Sequence, residues 1–138
     1  MVLLAASAGI LLTARRLLMY VTIIGDSMTP TLRPGDRVLI LRRRARRSIR
    51  VGDVVVFWPP AQFEHFGEAL GRRGEQVLVK RVTALPGQYA PDGQQVPAGR
   101  VYVRGDGLNS VDSRSFGPIA VDSVVGVVVA SVVRAPPR

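Results

Sequence analysis

Two hydrophobic patterns divide this chain. Residues 1–14, MVLLAASAGILLTA, carry no charge, and after Arg15 and Arg16 the apolar character resumes as LLMYVTII. A helix rises about 1.5 Å per residue, so fourteen residues reach about 21 Å, short of the roughly 30 Å hydrocarbon core of a bilayer. A full span therefore draws on the arginine pair, snorkelling to the interface, or on a segment upstream; the alternative is a shallow interfacial anchor. No basic stretch precedes the apolar run, and Ala6-Ser7-Ala8 lies too near the start for a processing site, which argues against a cleaved leader. The expectation is a retained anchor over residues 1–22. Charge does not set its orientation, because the arginines follow the apolar segment, opposite to the positive-inside pattern of an N-in protein.

From residue 20 onward the pattern is that of strands. YVTII, DRVLIL, DVVVFW, QVLVKRVTAL, RVYVRG and SVVGVVVASVV are short runs rich in Val and Ile, separated by Gly, Pro and Asp turns. The chain is therefore expected to be mainly β, with a compact domain over residues 23–134 and a tail over 135–138. RPGD at 33–36, RVGD at 50–53 and VRGD at 103–106 each place a glycine beside an aspartate that can accept turn hydrogen bonds, and read as strand junctions. The polar stretch from Pro59 to Gln76 reads as a mobile excursion, and residues 91–99, PDGQQVPAG, as a second loop.

Composition narrows the chemistry. At 138 residues the chain is one domain by length, and it has no cysteine, which removes thiol nucleophiles, disulfides and thiolate metal sites. A single histidine, His65 in the polar FEHFGE, leaves no basis for a multi-histidine metal centre and little for a Ser/His/Asp triad. The net charge of +9 suits a nucleic acid or an anionic membrane surface. Much of it lies in LRRRARRSIR, residues 41–50, without arginine–aromatic interleaving, zinc-finger spacing or a helix-turn-helix pattern. No nucleic-acid partner and no metal or other cofactor is expected; membrane lipid is.

Among nineteen lysines and arginines only Lys80 is a lysine. Arginine stays protonated at any relevant pH, whereas a buried lysine can lose its proton and act as a base. Period-2 alternation in QVLVKRVTAL puts Lys80 on the face of Leu78 and Val82. If that face is dry, the amine is driven towards neutrality and can take a proton from a serine; if it is wet, an acid such as Glu75 is the expected partner. Periodicity leaves both faces open. Ser27 follows an apolar strand and precedes Met28-Thr29-Pro30, which places it on a strand-exit turn with its hydroxyl exposed. GDGLNSVDSRSFGP, residues 105–118, is dense in short polar groups. On a strand Asp112 and Arg114 would share a face, and Ser110 could supply a hydroxyl nearby.

GDSMTPTLRPGD, VLVKRVTALPG and GDGLNSVDSRSFGP, in this order behind an apolar N-terminus, resemble the three signature blocks of the type I signal peptidases. The likeness runs from residue 25 to about 126 and is nearest to the short Gram-positive and mitochondrial inner-membrane members. It implies a compact β fold with a membrane-anchor helix, the catalytic domain on the extracytoplasmic side of a cell membrane, and cleavage of signal or leader peptides from exported precursors. It further implies Ser27 as nucleophile, Lys80 as general base, a substrate lying extended beside the Lys80 strand, and small residues, often alanine, one and three positions before the cut. By position Ser110 would orient the Lys80 amine, while Asp112 and Arg114 would brace the site. The family places an oxyanion-donating hydroxyl two residues before the nucleophile, and here that position is Gly25. Met28, Leu32, Leu78 and Val79 are candidates for the shallow apolar pockets, or for ordinary core. Three other readings remain: a peptidase dedicated to one client, a self-cleaving Ser/Lys repressor, for whose helical DNA-binding domain residues 1–26 leave no room, and a non-catalytic membrane-associated β module.

Overall fold

The computed structural model describes residues 2–45, 47–71 and 73–133; the expected tail at 135–138 lies outside them. A helix, α1 (Val2–Leu17), leads directly into β1 (Leu18–Ile23). The remaining strands are β2 (Arg37–Arg42), β3 (Val54–Phe57), β4 (Ala69–Leu70), β5 (Gln76–Ala84), β6 (Arg100–Arg104), β7 (Ile119–Ala120) and β8 (Val124–Val133), with a one-turn helix α2 (Ser113–Phe116) before β7. The sheet order is β3-β8-β2-β1-β4-β5, and pairing of β5 back onto β3 closes these strands into a barrel. β6 continues from β5 and carries β7 on its outer edge.

Closure explains why the strands are so apolar. In a barrel extended by further strands both faces of β5 meet protein, so alternation fades into a continuous hydrophobic run. Val77 and Val79 pack with Val21, Ile23, Val38, Ile40 and Val56 in one cluster. Leu78 and Val82 pack with Val55, Phe57, Val101, Val103 and Val127 in a second. Each fully buried Val, Leu or Ile contributes about 1.5–3 kcal/mol relative to exposure, so β5 is the strand on which both clusters depend. Phe57 meets Phe116 of α2 edge to face at 6.2 Å, which ties the third sequence block to the barrel wall.

Three expectations change here. The apolar stretch does not continue as a helix through residue 22, because Leu18 to Thr22 pair with β2 (Leu18↔Leu41 to Thr22↔Arg37). α1 has sixteen residues, and no helix among the described residues is long and apolar enough to cross a membrane. The expected excursion from Pro59 to Gln76 is instead built into the fold: a 3-10 segment (Ala61–Phe66) leads to β4, which pairs with β1 on one side and β5 on the other.

One glycine tests the barrel seam. A Cβ on Gly126 of β8 would lie 2.3 Å from the carbonyl oxygen of Leu41 and 2.7 Å from Ile40 Cγ2. The first obstacle is backbone and cannot rotate away, so Gly126→Ala is expected to cost about 2 kcal/mol, in the range of overpacking substitutions. A fall in melting temperature of roughly 5–10 °C by circular dichroism is the expected result.

Candidate active site

The first block is a compact turn hung from the end of β1. Thr29 N–H donates to the Asp26 carbonyl (3.0 Å) and Leu32 N–H to the Met28 carbonyl (2.9 Å), while Met28 and Leu32 anchor the turn in the first core cluster. Ser27 is consequently not an exposed turn serine. Only 3% of it is accessible, and its hydroxyl donates to Glu68 Oε2 at 2.5 Å.

Lys80 lies opposite Val55 in the middle of β5 and is completely buried. Its ammonium pairs with the same Glu68 oxygen, and Glu75, the acid considered from sequence, instead accepts from the backbone N–H of Arg73 (2.8 Å). Burial pushes the Lys80 pKa down from the usual lysine value; the Glu68 carboxylate, and more distantly Asp112 and Asp26, pull it back up without cancelling the shift. A lysine so placed can release its proton far more readily than one in water. Arg81, the next residue, turns the other way and forks Asp106 through Nε (2.9 Å) and Nη2 (2.7 Å).

That fork fixes the third block. Asp106 also accepts from Thr31 Oγ1 (2.6 Å), so one carboxylate joins the Ser27 turn to the Lys80 strand. Gly107 N–H donates to the Ser27 carbonyl at 2.7 Å. A Cβ on Gly107 would come within 2.7 Å of the Asp26 carbonyl oxygen, and one on Gly105 within 2.6 Å of the Ser27 carbonyl oxygen. VRGD at 103–106 is therefore more than a strand junction: its glycine provides room for the Ser27 turn, whereas Gly35 and Gly52 of the other two motifs take positive φ (92° and 93°).

Asp112 and Arg114 do not share a strand face. Asp112 caps α2, accepting from Arg114 N–H (3.2 Å), Arg114 Nε (2.9 Å), Arg114 Nη2 (2.9 Å) and Gly105 N–H (2.9 Å). Burial alone would raise the Asp112 pKa; these donors outweigh it and bring it to about 2. Ser110 Oγ is buried without a partner of hydrogen-bond geometry, close to the Asp112 carboxylate, and Ser110 and Lys80 are not hydrogen-bonded to each other. Gly25 donates its N–H to the Glu68 carbonyl (2.9 Å), and a Cβ there would lie 3.0 Å from Glu68 Cβ and Cγ. Of the pocket candidates, Met28, Leu32 and Val79 belong to the first core cluster and Leu78 to the second.

Glu68, Arg81, Asp106, Gly105 and Gly107 are thus the site-forming residues that sequence reasoning passed over. Glu68 had one faint signal, an apolar Ala69-Leu70 pair bracketed by Gly67 and Gly71 inside a polar stretch. The family model described as signal peptidase, peptidase S26, matches residues 1–90 and 89–133, which contain all three blocks. The chain belongs to this signal peptidase family. It is 34% identical over 129 residues to the probable signal peptidase I-1 of Synechocystis sp., covering 73% of this chain and 64% of that protein. The mitochondrial inner membrane protease subunit 1 of Schizosaccharomyces pombe is 32% identical over 119 residues, 78% of this chain and 69% of its own length. Signal peptidase I V of Bacillus subtilis is 30% identical over 146 residues, covering 75% and 79% respectively. The chain thus spans slightly less than two thirds of the Synechocystis signal peptidase and somewhat more of the other two.

The Asp112 cap gives a stability prediction with a defined sign. A carboxylate whose folded pKa is lowered contributes stability that is present above its unfolded pKa and lost as pH falls through the folded value. Asp112→Asn is therefore expected to lower unfolding stability at pH 7 by about 1–2 kcal/mol, discounted because Arg114 is 43% exposed and screened by water. In urea titrations the difference from wild type should shrink between pH 3.8 and pH 2.

Proposed function

We propose that this protein is a membrane-associated serine endopeptidase that removes signal or leader peptides after small residues, with Ser27 as nucleophile and Lys80 as general base. The observation that carries the proposal is a wholly buried lysine, its pKa lowered by desolvation, sharing one carboxylate oxygen with the hydroxyl of a serine in the matching family block. Neutral Lys80 accepts the Ser27 proton as Oγ attacks the scissile carbonyl. Collapse of the tetrahedral intermediate breaks the C–N bond, the leaving amine takes the proton from Lys80, and an acyl-enzyme remains. Lys80 then removes a proton from water, which attacks the ester and regenerates Ser27.

The oxyanion would be held by Ser27 N–H and a second group that is not a hydroxyl at Gly25. Ser110 orients the Lys80 amine once the substrate is bound, and the Asp112–Arg114 cap braces the loop that carries it. The substrate lies extended along β5. On the edge away from β3, pairing with β4 ends at Val77 and pairing with β6 begins at Arg81, so residues 78–80 mark the stretch of β5 that a peptide would join. Met28, Leu32 and Val79 of the first core cluster and Leu78 of the second would set the preference for small side chains where the peptide meets them. Precursor proteins are the partners, and lipid is the second: Leu3, Leu4, Ile10 and Leu11 of α1 are all more than half exposed, an apolar surface that a bilayer interface would cover on the extracytoplasmic side.

Cleavage of an Ala-x-Ala precursor in detergent is expected from wild type, with Ser27→Ala and Lys80→Arg at least about a thousandfold slower. Retained cleavage by Lys80→Arg would remove the general-base assignment, because arginine does not deprotonate. The wild-type rate should climb with pH through a single step lying below the ordinary lysine pKa of 10.5. In flotation with anionic vesicles the full chain should rise with the lipid, and changing Leu3, Leu4, Ile10 and Leu11 to serine should leave it at the bottom of the gradient.

A further inference from the structure

Glu68 has no part in the chemistry above, yet its carboxylate holds both groups that the reaction needs free. The Ser27 proton points at Glu68 rather than at the lysine, and the ion pair with Lys80 favours the protonated amine, the form that cannot act as a base. The backbone around Glu68 is equally well bound. Its carbonyl accepts from Ile24 N–H (2.8 Å) and Gly25 N–H (2.9 Å), and its own N–H donates to the Val77 carbonyl (3.1 Å). Ala69 follows, opposite Ile23 on one side and Val77 on the other, fully buried in the cluster that contains Met28, Leu32 and Val79. An extended backbone presenting a small side chain to these residues, with a group placed on Ser27, is the description of a substrate.

We infer that residues Gly67 to Gly71 form an intramolecular strap that occupies the peptide slot between β1 and β5, so that an incoming extended peptide with small side chains must displace it before cleavage. The inference rests on the peptidase reading and adds regulation to the same site. The exchange is balanced, since a peptide strand replaces the backbone hydrogen bonds the strap gives up. What the peptide does not replace is the carboxylate, and its withdrawal frees the Ser27 hydroxyl and leaves the Lys80 amine in a dry site with only the more distant Asp112 and Asp26 as counter-charges. Gly25 fits the same arrangement, because a side chain at that position would crowd the stem of Glu68.

The absence of cysteine allows a clean lock. Ile23 and Ala69 are directly opposed across β1 and β4, so Ile23→Cys/Ala69→Cys can be closed with diamide and reopened with dithiothreitol. Oxidation is expected to slow cleavage of an Ala-x-Ala precursor at least tenfold and reduction to restore it. Equal rates in the two redox states would overturn the strap. Glu68→Gln, which keeps the shape and removes the charge, is expected to raise kcat/KM about tenfold; a loss of activity in the folded variant would instead make Glu68 part of the catalytic machinery and refute the inference. Hydrogen exchange separates this from the peptidase reading. In Ser27→Ala with saturating Ala-x-Ala peptide, the amides of Glu68 and Leu70 should exchange faster than without peptide, and unchanged protection would overturn the strap whether or not the wild type cleaves anything.

Discussion

A lysine amine with no access to water is the constraint around which this molecule is arranged. An unpaired ammonium in such a place costs several kcal/mol, so the group must find a counter-charge or lose its proton. Both solutions are within reach here. Glu68 supplies the counter-charge, and desolvation lowers the cost of neutrality. The barrel serves this tension by wrapping β5 on both faces, and the Arg81–Asp106–Thr31 linkage holds the serine turn against the strand without placing a fixed charge beside the amine. Neighbouring residues on one strand thus have opposite tasks: Lys80 is kept dry to be changeable, and Arg81 is left wet to stay charged.

Much of the strand plan was legible because Val- and Ile-rich runs end at Gly-Asp turns, and β2, β3, β5, β6 and β8 fall where those runs lie. The face of Lys80 was not, since a strand buried on both sides has no alternation to read. Asp112 and Arg114 were set on a strand, but Asp-Ser-Arg-Ser-Phe-Gly carries the signature of a capped helical turn: an aspartate accepting N–H groups at one end and a glycine with positive φ (76°) at the other. The turn holding Ser27 was visible from Pro30; its burial was not, because what covers it arrives from forty-one residues away.

That cover, β4, is a strand of only two residues. Two residues have no period, and a polar stretch containing Phe, His, Glu and Arg looks like a loop by every compositional measure. Its pairing with β1 and β5 follows from tertiary fit: Gly25 makes room, Ala69 is small enough for the gap among Met28, Leu32 and Val79, and the carboxylate meets two donors. At Gly25, where the resemblance implied a hydroxyl, the structure places the stem of Glu68 instead.

β5 is shared unequally along its length. Residues 78–81 are held by β3 over a four-residue register that both core clusters flank, whereas β4 contributes only the pairs at Val77 and Gln76. Segments with few contacts open first and well-packed strands open only with the whole domain. Lys80 therefore resides in the last part of the barrel to come apart, and its geometry survives fluctuations that release β4. Such a molecule loses the position of its lysine only when it melts, so heat inactivation and global unfolding are one event rather than two.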